Sequence, residues 1–218
     1  METAARPLRR CRLALPFILL ISTVAAFEVG ERLLDYVQKE FGSEAHSRLE
    51  NWENLHRLAA RAPVERQLTL VNTFFNRVRF VNDIEHWGEE DYWATPVELL
   101  TTNGGDCEDF SIAKYLTLKS MGVPDEQLRI VYVKALELNQ AHMVLAWYPE
   151  PDADPLILDN LINEIKPASQ RSDLEPVYSF NGEGLWLNRS GGEQQRIGEA
   201  AKLSHWQDVN RRLIDALR

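Results

Sequence analysis

Near residue 122 the apolar pattern of this chain changes its period, and that change limits the folds open to it. Upstream, stretches 31–41, 45–60 and 65–78 repeat every three or four residues, as amphipathic helices do. Ala45, Leu49, Trp52, Leu55 and Leu58 mark the second, and Leu68, Val71, Phe74, Phe75 and Val78 the third. Downstream, 128–136, 141–148 and 156–160 are rich in β-branched and aromatic residues and read as consecutive antiparallel strands. A further strand pair is expected over 176–188, turned at Asn181-Gly182-Glu183-Gly184. A flexible joint at 190–192 and an amphipathic helix over 204–218, with Trp206, Val209, Leu213 and Leu217 on one face, complete the chain. Helices first and an antiparallel sheet afterwards predict an α+β fold.

Between the halves lies the run Asn103-Gly104-Gly105-Asp106-Cys107-Glu108-Asp109-Phe110-Ser111. Its glycines permit a tight turn, and Asp106 is a cap for a helix running from Cys107 to about Ser120. Phe110, Ala113, Leu116 and Leu118 face inward on that helix, and Gly122 and Pro124 end it. Cys107 therefore sits at a helix N-terminus. The unpaired N–H groups and dipole there favour a thiolate, and the same N–H groups can receive an oxyanion. Asp106, Glu108 and Asp109 oppose this, because negative charge beside a thiol raises its pKa. On a helical wheel the three carboxylates share the arc facing away from the sulfur. Hard oxygen ligands grouped in this way suit Ca²⁺, and a bound cation would cancel the repulsion. The spacing is not that of an EF-hand, acids in a first turn also complement the dipole, and carboxylates alone do not choose between Ca²⁺ and Mg²⁺.

Residues 1–26 read as a secretory signal: Arg6, Arg9, Arg10 and Arg12 precede an apolar core over 13–24, and Val24-Ala25-Ala26 offers a cleavage site. The apolar run is short for a membrane-spanning helix, which needs roughly 20 residues, so cleavage is expected rather than an anchor. Four of the 24 basic residues and one of the 33 acidic ones would leave with it, taking the net charge from −9 to −12. Such an acidic surface argues against nucleic acid as a partner. Cys11 would also leave, so Cys107 would be the one cysteine of an exported chain, without an internal disulfide partner. Residues 27–218 are expected to form one domain, with a helical lobe over about 27–122, a sheet lobe over about 128–188 and the C-terminal helix. No internal repeat, phosphate loop or zinc-ligand spacing is present in the sequence.

The aromatic, polar stretch 80–94 contains Asp83, His86, Trp87, Asp91, Tyr92 and Trp93, and is placed to wall a cleft beside the cysteine turn. Thr95-Pro96-Val97-Glu98 after it carries the signs of a capped helix start. His142 falls at the start of the second strand and Asp159 near the end of the third. If Tyr148 faces Ala153 across the hairpin, the paired numbers sum to 301, as 142 and 159 do, and the two residues are cross-strand neighbours. A slip of one residue would separate them. Asn160 would point to the opposite face, and His86 has no partner that the sequence identifies. A thiol on a helix N-terminus, then a histidine and an acid on neighbouring strands, is the order and setting of papain-like and transglutaminase-like hydrolases.

Several runs together resemble one family. They are Tyr92-Trp93-Ala94-Thr95-Pro96-Val97-Glu98, Gly105-Asp106-Cys107-Glu108-Asp109-Phe110, Tyr132-Val133-Lys134-Ala135-Leu136, Asn139-Gln140-Ala141-His142-Met143-Val144-Leu145, Leu158-Asp159-Asn160 and Pro176-Val177-Tyr178-Ser179-Phe180-Asn181. In order and spacing they resemble the bacterial transglutaminase-like cysteine proteinases of the LapG type. The resemblance implies a papain/transglutaminase-like fold with Cys107 as nucleophile, His142 as general base and then acid, and Asp159 as the orienting carboxylate. It places calcium at Asp106 and Glu108, with Asp109 as a third ligand. It further implies a periplasmic endopeptidase that cuts a large repeat adhesin near its N-terminus at an Ala-Ala site, releasing it and dispersing biofilm. The implied inhibitor is the periplasmic domain of an inner-membrane cyclic di-GMP receptor. The residues alone leave two alternatives: an amidase or acyl transferase of cell-wall peptides with the same triad, or a non-catalytic calcium-binding partner of a membrane receptor. Cys107 N–H is the one oxyanion donor they name, with a second sought near Trp87 or Trp93.

Overall fold

A computed structural model describes residues 28–188 and 194–217. The expected signal over 1–26 and joint over 190–192 lie outside the described residues. The helical part comprises α1 (Glu31–Phe41), α2 (Ser43–Ala59), α3 (Val64–Phe75), the single turn α4 (Asp83–His86), α5 (Pro96–Thr102) and α6 (Cys107–Ser120). Two short strands, β1 (Arg79–Phe80) and β2 (Gly104–Gly105), pair in parallel and fix the approach to α6. The strands that follow are β3 (Leu128–Ala135), β4 (Gln140–Trp147), β5 (Leu156–Leu158), β6 (Lys166–Pro167), β7 (Leu174–Phe180), β8 (Leu185–Asn188) and β9 (Gln194–Gly198), and α7 (Ser204–Ala216) closes the chain. β3 to β9 form an antiparallel sheet in the order β6-β5-β4-β3-β7-β8-β9, which gives the α+β architecture expected from the change of period.

α6 is the centre of the molecule. It packs between α3 and α5 on one side and β3 and β4 on the other. Phe110, Ile112, Ala113, Tyr115 and Leu118 are buried, and so are Ser111, Lys114 and Thr117. Burial extends beyond the inward positions that the apolar spacing marks, because a helix between a helical layer and a sheet has neighbours on both sides. Leu116 is only partly buried. Among the polar residues, Thr117 is satisfied by Trp52 of α2, whose indole N–H donates to its hydroxyl at 2.9 Å.

The buried stripe of α2 is Ala45, Leu49, Trp52, His56 and Ala59, so the expected stripe turns off at its end: Leu55 is partly buried and Leu58 is 78% exposed. The path through His56 keeps the i, i+3, i+4 sequence on one line, whereas Leu55 and Leu58 lie one position to its side. α5 begins as expected, with the Thr95 hydroxyl accepting from Glu98 N–H and the Glu98 carboxylate accepting from Thr95 N–H.

The β4–β5 pairing differs from the expected one. Leu145 faces Leu158 and Trp147 faces Leu156, a register sum of 303 rather than 301. The slip is two residues, so each side chain stays on its expected face. β5 ends at Leu158, and Asp159 lies just beyond it. The sheet also contains a strand that the periodicity did not announce, β9, which extends it beyond β8.

Candidate active site

Gly105, Asp106 and Cys107 carry the chain from β2 into α6. A side chain at Gly105 would overlap the Asp109 carboxylate and Leu99, so glycine is required by this close approach. Asp106 and Asp109 form a capping box, and Asp109 Oδ2 accepts from Asp106 N–H at 3.2 Å. Cys107 is the first residue of the helix, and its N–H has no acceptor within the helix.

The sulfur faces a cleft of about 400 Å³ whose walls include Trp93, Asp106, Tyr132, His142, Met143 and Tyr178. Met143 of β4 lines the cleft with the sulfur, which brings its neighbour His142 to the same place. His142 is 2% exposed, and its Nε2 lies 2.8 Å from Asp159 Oδ1. That bond leaves Nδ1 as the ring nitrogen available to a proton from the cleft. The two-residue slip makes His142 and Asp159 diagonal rather than direct neighbours, and they meet because the slip preserved the face.

Asp159 is itself held from several sides. Oδ1 also accepts from Leu161 N–H at 2.9 Å, Oδ2 accepts from Arg171 Nη2 at 2.8 Å, and its carbonyl accepts from Asn76, the residue capping the C-terminus of α3, at 2.8 Å. Burial alone would raise its pKa. The bond and charge of His142, the Leu161 N–H and the Arg171 bond overcome that and bring it down to about 2. Arg171 was not foreseen, because one arginine in a polar, aperiodic stretch carries no pattern. Asn160 takes no part in this pair, and its Oδ1 is buried without a partner. His86 packs against Gly104 and contacts the Thr102 hydroxyl at 2.8 Å, apart from the His142–Asp159 pair.

The acidic residues are arranged differently from the helical wheel. Glu108 does not face away from the sulfur: the Cys107 thiol donates to Glu108 Oε2 at 3.0 Å. The wheel fails because Asp106 is an extended cap (φ −114°, ψ −160°) rather than a helical residue, and because the Glu108 side chain is long enough to reach the sulfur. Asp109 turns the other way, with Oδ1 accepting from Ala94 N–H at 2.6 Å. Two acids of the 80–94 stretch come into the cluster instead. Asp83 groups with Asp106 and Asp109, and also with Asp91 and Glu108, with ligand atoms within 4.8 Å of one another. In the sequence Asp83 and Asp91 read only as part of the cleft wall, since no spacing links them to residues some twenty positions away.

This cluster is costly as it stands. Burial, then the bond and charge of Glu108, push Asp106 up to about 8. Burial pushes Asp83 up to about 6 and raises Glu108 and Asp109 as well. Burial followed by Glu108 and Asp106 drives the Cys107 thiol far above its ordinary value. Asp83 Oδ1 and Asp106 Oδ1 are buried without a hydrogen-bond partner. Hard, buried oxygens lacking donors fit a divalent cation. Trp93 lines the cleft, with its indole N–H donating to Asp91 Oδ1 at 2.8 Å, while Trp87 packs between His86 and Tyr92.

Residues 36–175 match the family model described as bacterial transglutaminase-like cysteine proteinase. Among solved structures the chain is similar to LapG of Legionella pneumophila, with 44% sequence identity, 84% of this chain and 96% of that one covered, and a TM-score of 0.73. The EGTA-treated form of that protein gives a TM-score of 0.74, and the calcium-bound form 0.72, each at 44% identity over 84% of this chain and over 96% and 98% of theirs. No relative was found among the curated proteins. With the family model spanning well over half of it, the chain belongs to the bacterial transglutaminase-like cysteine proteinases.

Proposed function

We propose that this protein is a calcium-dependent endopeptidase in which Cys107, His142 and Asp159 form the catalytic triad. The observation that carries this reading is the buried His142–Asp159 pair set beside a lone thiol at the N-terminus of a buried helix. His142 Nδ1 takes the thiol proton, and the sulfur attacks the scissile carbonyl carbon. The oxyanion that forms is received by Cys107 N–H at the end of α6. His142 then returns the proton to the amine as the C–N bond breaks, leaving a thioester. Water, deprotonated by His142, attacks that thioester, the C–S bond breaks to release the new C-terminal acid, and the proton returns from His142 to the sulfur. Asp159 keeps a proton on Nε2 and stabilises the imidazolium that forms, so that Nδ1 is the nitrogen that gains and releases the thiol proton.

Asp83, Asp91, Asp106 and Glu108, together with Asp109, are the residues that would hold calcium. Bound there, the ion would supply positive charge that offsets the carboxylates beside the sulfur. A calcium-bound form of the Legionella protein supports this assignment.

The substrate we propose is the N-terminal region of a large repeat adhesin, cut in the periplasm so that the adhesin is released and biofilm disperses. Membership of the LapG-like group supports it, and no helix among the described residues is long and apolar enough to cross a membrane. The periplasmic domain of an inner-membrane cyclic di-GMP receptor would be the inhibitor. The test is to incubate the exported chain in calcium with the N-terminal region of such an adhesin and, separately, with peptidoglycan fragments. A discrete cut in the adhesin that Cys107→Ala abolishes is expected. Consumption of peptidoglycan alone would transfer the triad to cell-wall chemistry.

A further inference from the structure

We infer that Arg171 is a positioning residue for His142, acting through Asp159; this rests on the triad proposed above. Arg171 follows a 3-10 turn, Ala168–Gln170, and is 4% exposed. Its Nη2 donates to Asp159 Oδ2 and to Asp173 Oδ2, both at 2.8 Å, while its Nε donates to Asp173 Oδ1 at 2.9 Å. One nitrogen thus bridges two carboxylates. Asp173, at the surface, holds the edge of the guanidinium and sets its aim.

The consequence lies in how the two oxygens of Asp159 are divided. Oδ1 serves His142 and Leu161 N–H, and Oδ2 serves Arg171. Rotating the carboxylate would break all three bonds, so the oxygen facing the imidazole is fixed in direction. Arg171 also keeps that carboxylate charged. Without it, Oδ2 would be a buried acceptor lacking a partner, and such a group tends to take up a proton. The second cation near Asp159 is Lys114 of α6, whose ammonium lies over the Phe110 ring at 5.8 Å. Burial brings Lys114 down to about 7 despite its attraction to Asp159, so it is a weaker source of positive charge there than Arg171. The guanidinium remains charged throughout. The groups that face Asp159 are therefore His142 from β4, Lys114 from α6, and Arg171 with Asp173 behind it.

The test compares Arg171→Met, Arg171→Lys and Asp173→Asn in the exported chain with calcium. Three quantities are read: kcat and KM across pH, the melting temperature, and the downfield proton resonance of His142 Nε2–H. That resonance is assigned by its loss in His142→Gln and needs no substrate. For Arg171→Met we expect kcat to fall roughly ten- to a hundredfold, the scale seen when the hydrogen-bonding partner behind a metal-ligating histidine or carboxylate is removed. KM should stay within about twofold, since substrate binding is untouched. The acid limb of kcat should move to higher pH and the resonance should move upfield. Arg171→Lys should restore most of kcat and Asp173→Asn should fall between. Should Arg171→Met fail to fold, the lysine and asparagine variants carry the test by the same limb and resonance. Wild-type kcat, acid limb and resonance in the variants that fold would overturn the inference, as would equal losses in methionine and lysine variants that track melting temperature with an unmoved limb. If the wild type cuts nothing, the protease reading fails, and the His142 resonance still decides the role of Arg171.

Discussion

Replacing Asp159 by asparagine isolates what the carboxylate does, because the shape is kept while charge and one acceptor are lost. The three groups around the two oxygens, His142 Nε2–H, Leu161 N–H and Arg171, are all donors. An amide offers one oxygen, and its NH₂ must then face a donor. Arg171 is donor-only and charged, so the amide oxygen turns to Arg171 and the NH₂ turns to His142. The imidazole answers by accepting at Nε2 and carrying its proton on Nδ1, the nitrogen that receives the thiol proton in the proposed mechanism. An enforced wrong tautomer of this kind costs about 10⁴-fold in kcat, roughly 5 kcal/mol. Stability changes as well. Asp159 falls from 3.8 to about 2 on folding, and a shift of roughly two units is about 2.5 kcal/mol. Its pKa is depressed in the folded state, so this stability is complete above about pH 4 and is lost as pH falls through about 2. At neutral pH the variant should therefore melt roughly 5–10 °C lower, for a domain of this size. The gap should narrow on acidification below about pH 4. The assay is single-substrate kinetics on an adhesin fragment with melting curves at several pH values. Activity within tenfold of wild type would refute the orienting role.

Leu118→Ala, at a fully buried position of α6, should lose about 2–5 kcal/mol by urea denaturation with a smaller change in KM than in stability. Asp83→Asn should weaken calcium binding by calorimetry while leaving the triad geometry in place, since Asp83 meets the cluster from a different segment. In EGTA, Asp106 with its folded value near 8 binds a proton more tightly than in the unfolded chain, so stability should fall as pH rises from about 4 to about 8. Calcium should flatten that slope, and melting curves across pH with and without the ion will show whether it does.

What the sequence conveyed well were features set by local rules. The capped start of α5 and the span of α6 follow from Thr95, Pro96 and Glu98 and from Asp106 and Gly122, and all are found where local chemistry puts them. The pairing of His142 with Asp159 was reached through a register that is two residues off, and it survives because strand faces repeat every second residue. What could not be read were contacts between segments far apart in the chain. Asp83 reaches Asp106 across the loop, and Arg171 reaches Asp159 from beyond β6; neither residue has a periodic neighbour that would mark it. The helical wheel misplaced Glu108 because it assumed a helical Asp106, whereas a cap residue is extended. β9 escaped notice since Gln194, Gln195 and Arg196 are exposed and polar, and an edge strand of that composition carries no apolar alternation.

The central claim is that the thiol becomes a nucleophile when positive charge offsets the carboxylates around it. The most direct measurement is the rate at which iodoacetamide alkylates Cys107 at neutral pH in the chain from Phe27 onward, in calcium, in EGTA, and after calcium is restored. Faster alkylation in calcium, slowed by EGTA and recovered on adding the ion back, is the predicted result. Equal rates in all three conditions, no faster than a free thiol, would contradict it and leave the acidic cluster as helix capping alone.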